Sequence, residues 1–351
     1  MNFYSHEDFL DAAPNIQLLL SSQGESFSKV CENQMAEIDI AIPAYNCAAW
    51  LDDLIESILQ QDANNWRIVA RDDASTDDTA ARLAAWKQRL GERMMIVDTC
   101  ERRNLGFVLN YNAVVSATTS PWIMLADADD VWRPGKLALT LQAMRAAEAA
   151  HGTTTPVLVF TDAKVVDEQL QPLAESYWRW SRANLAAANV FHRLVVDSPA
   201  ISSTIMVNRA LIDLALPMTG AVFALDWWAM MVAAAFGQIV KLDERTILYR
   251  RHSANDSLEP YAATTKGMVH RLLAAPSSAH KKLDRLIDQF APQAGAFAER
   301  FHSELCASDL AALKAASRLP HVGGIQRRWS VVRHGLWFGS LPKNVGLMLL
   351  L

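Results

Sequence analysis

From Ile38 to Leu125 the chain alternates short apolar runs with amphipathic segments, and that alternation restricts the fold more than any other feature of its 351 residues. Ile38-Asp39-Ile40-Ala41-Ile42, closed by Pro43, reads as a buried strand. Trp50, Leu51, Leu54, Ile55, Ile58 and Leu59 then fall on one helical face. The pattern repeats as a strand at 66–70, a helix at 79–90, a strand at 94–97, a helix at 107–117 and a strand at 122–125. Strands separated by helices of this length predict an α/β fold built from parallel βαβ units. Further strands are expected at 157–160 and 205–207, with a helix at 226–236 and a last strand near Ile239 and Val240. Beyond residue 260 the chain turns helical, with Leu283, Leu286, Ile287 and Phe290 at the spacing of one face. The expected divisions are a leader (1–37), a catalytic domain (38–258), a helical extension (259–310) and a basic amphipathic tail (311–351).

Open parallel sheets bind ligands beyond the carboxyl ends of their strands. Three of the expected strands end in polar clusters: Pro43-Ala44-Tyr45-Asn46, the run from Arg71-Asp72-Asp73 to Thr79, and Asp127-Ala128-Asp129-Asp130-Val131-Trp132. Parallel pairing would gather these carboxylates in one cleft, where each raises the pKa of the others. A divalent cation relieves that repulsion, and oxygen ligands suit Mg²⁺ or Mn²⁺. Mg²⁺ takes one or two protein carboxylates and completes its shell from phosphate and water. The pattern therefore points to a metal-bound phosphate ester. Each cluster alone also has a plain reading: a helix N-cap at Ser75 to Asp78, a solvated turn at Asp127 to Asp129, and a simple turn after Pro43.

Taken in order, Ile-Pro-x-Tyr-Asn, Asp-Asp-x-Ser-x-Asp-x-Thr and Asp-x-Asp-Asp-x-Trp resemble the motifs of family 2 glycosyltransferases of the GT-A fold. Asn104-Leu105-Gly106-Phe107 with Asn110, Asp226-Trp227-Trp228 and Tyr249-Arg250-Arg251-His252 extend the resemblance over about 38–258. It is greatest to bacterial rhamnosyltransferase-like enzymes of surface polysaccharide synthesis. The resemblance implies a mixed, mainly parallel sheet flanked by helices, and transfer of a sugar with inversion from a nucleoside diphosphate sugar to a saccharide or lipid-linked saccharide. It places Pro43, Tyr45, Asn46, Asp72, Asp73, Asn104, Gly106, Asp127 and Arg250 around the donor, with Tyr45 near the base and Asp73 reading it. It makes Asp129 the principal metal ligand, joined by Asp130 and His252, and Asp226 the general base. Ser202, Ser203, Trp227 and Trp228 fall where the acceptor binds. Related sequences often carry Gly near Ser202, so a serine there narrows the backbone's approach to a ligand or adds a hydroxyl contact. Without the resemblance, Asp226 caps a helix, the two tryptophans divide between core and sugar stacking, and Arg250 and His252 are surface residues.

A nucleotidyltransferase that makes nucleotide sugars from sugar 1-phosphates is an alternative, although Pro43-Ala44-Tyr45-Asn46 replaces its Gly-rich basic loop. A catalytically degenerate binding or assembly module is another. No Gly-x-Gly-x-x-Gly follows a strand, which disfavours a dehydrogenase. The four cysteines are too scattered for a disulfide framework or zinc site, and no run of eighteen apolar residues predicts a spanning helix. These features, with acidic residues where a signal peptide needs basic ones, predict a cytoplasmic protein.

The net charge of −5 hides two unlike parts. Residues 311–351 carry Lys314, Arg318, Arg327, Arg328, Arg333 and Lys343 and no acid, a tail of +6 behind a body of −11. Trp329, Val331, Val332, Leu336, Trp337 and Phe338 interleave with these cations. That mixture suits the inner face of an anionic membrane, with packing on the acidic body or on a partner subunit as the alternative. Nucleic acid is not expected, since no recognition motif accompanies the basic residues.

Overall fold

The computed structural model describes residues 36–98, 103–183, 190–253 and 276–338, together with Asn344 and Met348. Residues 1–35, Cys31 and Cys100, the boundary near Leu258 and most of the closing apolar run lie outside the described residues. Among the described residues nine strands form one sheet: β1 (Ile38–Ala44), β2 (Trp66–Asp72), β3 (Met94–Ile96), β4 (Trp122–Leu125), β5 (Val131–Trp132), β6 (Val157–Val166), β7 (Pro172–Ala174), β8 (Ile205–Asn208) and β9 (Gln238–Arg250). The order is β3-β2-β1-β4-β8-β6-β9-β5, with β7 on β6.

The run β3-β2-β1-β4 is parallel throughout, and β6 is parallel with β9. Between these two parallel groups β8 runs against this direction, antiparallel to both β4 and β6, and the short strands β5 and β7 pair antiparallel with β9 and β6. The carboxyl ends of β1, β2, β4, β6 and β9 therefore lie along one edge, beside the amino end of β8. Helices α1 (Leu51–Leu59), α2 (Thr79–Leu90), α3 (Phe107–Ser116) and α4 (Lys136–His151) connect and flank the strands. The βαβ reading of the first hundred residues of the domain matches the structure within a residue or two at each end.

β9 is longer than its sequence predicts. Asp243, Glu244 and Arg245 are exposed, so the apolar signal stops at Leu242, yet the strand runs to Arg250 along β6 with two register shifts. Val131 and Trp132 pair with Leu248 and Ile247, which clamps the chain leaving Asp130 onto the end of β9. A two-residue strand has no periodicity to read.

After the short helices α5 (Tyr177–Ser181), α6 (Val190–Leu194) and α7 (Arg209–Ala215), α8 (Leu225–Phe236) is apolar all round and buried along most of its length. It ends at Gly237, where a Cβ would meet the Pro156 carbonyl oxygen at 1.8 Å, so only glycine lets β9 start beside β6. The helical segment, α9 (Pro276–Arg300), α10 (Ala307–Arg318) and α11 (Gly324–His334), packs onto α8. Phe297 and Phe301 meet the Trp228 ring at 5.0 and 6.2 Å, and Leu313, Val331 and Leu336 join the same hydrophobic cluster. No helix among the described residues is long and apolar enough to cross a membrane.

Candidate active site

The β2 end is built around a buried ion pair. Arg71 and Asp73 are both nearly inaccessible, and the guanidinium meets the carboxylate at 2.5 Å while also donating to Asn110 Oδ1 at 2.8 Å. The backbone amides of Leu105 and Gly106 donate to the two Asp73 oxygens at 2.8 and 2.9 Å. Those amides open α3, so Asp73 stabilises a helix N-terminus as well as an arginine. Gly106 takes φ +80°, which lets the chain turn into α3. Asn104 closes the loop by donating to the Asp73 carbonyl at 3.1 Å. Asp73, expected to read a base, is thus turned inward. Its neighbour Asp72 is half-buried, accepts from the Ser75 amide at 3.2 Å, and keeps one oxygen, Oδ1, enclosed without a hydrogen-bond partner.

Asn46 ties the β1 and β2 loops together: its amide donates to Ser75 Oγ at 2.9 Å and its Oδ1 accepts from the Thr76 amide at 2.8 Å. Tyr45, next to it, stays exposed. Pro43 lies on β1 opposite Arg71. The helix-cap reading at Ser75 is not met, since Ser75 Oγ accepts from Asn46 and α2 opens after Asp78 without a side-chain cap, although Asp77 accepts from the Thr79 amide and hydroxyl at 3.0 and 2.6 Å.

The β4 end is organised differently. The Asp127 amide donates to Ser203 Oγ at 2.7 Å, and Asp127 Oδ1 accepts from the Tyr111 hydroxyl at 2.7 Å. Burial, then the negative charge of Asp129, pushes the Asp127 carboxyl up to about 7, and Asp226 adds to the effect. Asp226 sits in the first turn of α8 and accepts from the Trp227 amide at 2.7 Å. Burial pushes its carboxyl up to about 6, against hydrogen bonds from the Trp227 backbone and from Ser202. The Ser202 side chain lowers both the Tyr111 and the Asp226 pKa against the larger effect of burial. Asp127, Tyr111, Ser202 and Asp226 therefore influence one another electrostatically around the Tyr111–Asp127 hydrogen bond. Sequence reasoning found three of them and passed over Tyr111. The available signal was a tyrosine on the inner face of α3, whose hydroxyl needs a buried partner.

Asp129 and His252 meet, with Nε2 2.9 Å from Oδ2. Trp50, just before α1, stacks on the imidazole at 4.0 Å. Asp130 does not share this position. It is fully buried, accepts from the Arg250 amide at 3.0 Å through Oδ1, and has Oδ2 enclosed without a partner. Burial, then Asp129 and Asp127, holds the Asp130 carboxyl well above the usual range. The expected set of three metal ligands is corrected accordingly. The antiparallel clamp of β5 on β9 turns Asp130 inward, and among the described residues no three His, Cys, Asp or Glu side chains are arranged to hold an ion. A carboxylate and an imidazole remain together, a donor set that fits Mn²⁺ or Mg²⁺ when a diphosphate and water supply the other ligands.

Arg250 is also placed differently from its expected donor contact. Its side chain is buried and donates to the Asp129 carbonyl, the Glu168 carbonyl and Asp53 Oδ2 at 2.9, 2.9 and 2.7 Å. It braces the loop that carries Asp129. Trp227 and Trp228 require a plainer correction. They are 6% and 2% exposed, and their indoles donate to the Leu194 and Ala215 carbonyls. Neither ring is open to an acceptor, because α8 is covered by the sheet on one side and by α9 on the other.

Residues 39–193 match the family described as "Glycosyl transferase family 2". Among curated proteins, TuaG of Bacillus subtilis, named as a teichuronic acid biosynthesis glycosyltransferase, is 27% identical over 131 residues, covering 37% of this chain and 51% of that protein. EpsE of the same organism, named as a glycosyltransferase, is 27% identical over 140 residues, covering 40% and 50%. The chain thus spans about half the length of these two relatives. Among solved structures, S. aureus TarS 1–349 in complex with UDP-GlcNAc is 18% identical with a TM-score of 0.47, covering 85% of this chain and 89% of that one.

Proposed function

Residues 39–193 are a family 2 glycosyltransferase domain, and on that premise we propose that the chain transfers a sugar, with inversion, from a nucleoside diphosphate sugar to a saccharide hydroxyl. The single observation that carries this reading is the buried Tyr111–Asp127 hydrogen bond, with the Asp226 carboxylate near enough to raise the Asp127 pKa, beside the Asp129–His252 pair. A base for a sugar hydroxyl works best with a pKa near the operating pH, and burial supplies that for Asp226. Asp226 would take the proton of the acceptor hydroxyl as that oxygen attacks the anomeric carbon. Ser202 and Tyr111 hold Asp226 and Asp127 in register across the cleft.

Asp129 and His252 would hold Mg²⁺ or Mn²⁺. When bound, the ion neutralises charge on the departing diphosphate. Arg250 keeps the Asp129 backbone in place from below, and Trp50 fixes the imidazole plane. Tyr45 offers an exposed ring for the base, with Asp72 beside it as a hydrogen-bond acceptor. Asp73, Asn104, Gly106 and Asn46 shape the loops that carry these contacts. In this reading the donor sugar is rhamnose, the acceptor is a lipid-linked saccharide of a cell-surface polysaccharide, and the enzyme works on the cytoplasmic face of the inner membrane. The boundaries at 38–258, 259–310 and 311–351 separate catalysis, support and surface attachment.

The test is a Mn²⁺-dependent hydrolysis screen over nucleotide sugars, including dTDP-rhamnose, with wild type and Asp129→Ala. One donor should be cleaved slowly by the wild type and not by the variant. Metal-independent turnover, or equal turnover by Asp129→Ala, contradicts the assignment.

A further inference from the structure

The C-terminal helix α11 presents two faces of opposite character. Arg327, Val331 and His334 point toward the body: Val331 is buried, and Arg327 donates to the Leu319 and Val322 carbonyls at 2.8 and 3.0 Å and pairs with Asp284. The other face carries Ile325, Trp329 and Val332, which are 83%, 59% and 55% exposed. At about 100° per residue these three fall within roughly 60° of one another, a narrow apolar stripe along the helix. Arg328 and Arg333 flank it on either side, both exposed; Arg328 Nε donates to the Met348 carbonyl at 3.0 Å, and the Arg333 guanidinium lies 4.9 Å from the Trp329 ring. The helix contains no acidic residue, and none occurs from Ala311 to the end of the sequence.

We propose that this face of α11 is the surface by which the protein docks on an anionic lipid bilayer, with Ile325, Trp329 and Val332 in the acyl boundary and Arg328 and Arg333 among the headgroup phosphates. The proposal rests on the membrane location proposed above and gives it a specific contact. An apolar stripe bordered on both sides by arginine suits a helix lying in the interface plane. The arginines reach sideways to phosphate while their aliphatic stems stay along the apolar strip. Tryptophan favours that depth, where its ring is apolar and its N–H meets the headgroups. The acidic body of a second copy would satisfy the arginines but not three large apolar side chains between them.

The three stripe residues are largely exposed, so replacing them separates docking from stability and catalysis. The experiment is co-sedimentation of the full chain with vesicles of phosphatidylglycerol and phosphatidylethanolamine, and with vesicles of phosphatidylcholine alone. Wild type should sediment with the first and much less with the second. The triple variant Ile325→Ser, Trp329→Ser, Val332→Ser should bind at least about tenfold more weakly, with an unchanged melting temperature and unchanged nucleotide-sugar hydrolysis. Arg328→Gln with Arg333→Gln should remove the preference for anionic lipid. Equal sedimentation by the triple variant, or no vesicle binding by wild type, overturns the proposal. So does a dimer in sedimentation velocity that the triple variant abolishes, since the stripe would then belong to a second copy. None of these results depends on donor turnover, so the docking surface and the catalytic reading fail separately.

Discussion

Two strand ends in this molecule carry the same kind of sequence and have opposite fates. Asp72-Asp73 closes β2 and Asp127-Ala128-Asp129-Asp130 follows β4, each a cluster of carboxylates at the same edge of the sheet. At the β2 end the protein compensates the charge itself, with Arg71 and two backbone amides on Asp73. At the β4 end the strongest influences on Asp127 and Asp130 are burial and then the negative charge of Asp129. The first arrangement builds a loop. The second keeps carboxylates at a cost in stability that a cation would relieve. A carboxylate at a strand end is therefore a functional candidate only after its internal partners are known.

The largest expected effect falls on the acceptor side. Asp226→Asn keeps the shape of the α8 start but removes the proposed base, so transfer should fall by about 10²–10⁴-fold, measured by single-turnover kinetics. Nucleoside diphosphate binding should be retained; its loss would contradict the base role.

The β2 end should respond in stability instead. Arg71→Met leaves Asp73 buried without its cation, a change that costs about 3–5 kcal/mol in comparable pairs. Denaturant unfolding should find a loss of that order. Little change would mean that the Leu105 and Gly106 amides alone satisfy Asp73.

Tyr111→Phe removes one hydroxyl from the group linking Asp127 with Asp226. A lost buried hydrogen bond is worth about 1–3 kcal/mol, so kcat for transfer should fall about tenfold or more while KM for the donor holds. Tyr111 acts here as a positioning residue, and an equal rise in donor KM would instead place it in donor binding.

The smallest effect is on pH dependence. Asp127 and Asp226 have folded-state pKa values raised to about 7 and about 6 from an ordinary value of 3.8. Such groups hold protons more tightly folded than unfolded. Their contribution to stability is complete below about pH 4 and is lost as pH rises through 6 to 7. Metal-free protein should therefore lose melting temperature between pH 5 and pH 8, and Asp127→Asn should flatten that decline. Transfer should follow the opposite course, falling as pH drops through about 6 and Asp226 is protonated. A melting temperature that rises across the same interval contradicts the assigned direction.

Much of the first half of the domain was legible because local pattern and tertiary role agree there. Buried parallel strands are continuous apolar runs, and the helices between them each show one apolar face. Legibility ended where one side chain's role depends on a distant element. The periodicity of α8 could not assign Trp227 and Trp228 a face, since a helix apolar on every side has none; Trp227 is covered where its indole meets the Leu194 carbonyl of α6, and Trp228 where Phe297 and Phe301 of the C-terminal helical segment pack on it. Asp130 and Arg250 were placed by the pairing of β5 with β9, a contact between segments more than one hundred residues apart. The basic tail was legible as charge, whereas its outward residues were not. Val331, Leu336 and Phe338 turn inward, leaving Ile325, Trp329 and Val332 outside.

The comparison of the two strand ends is tested most directly by calorimetric titration of Mn²⁺ into the protein in the presence of UDP, GDP or dTDP. For one of these nucleotides, wild type and Asp226→Asn should bind the ion with similar affinity, and Asp129→Ala should lose most of that binding. If Asp129→Ala binds Mn²⁺ as tightly as wild type, the carboxylates after β4 are not the cation site and the account of the cleft is wrong.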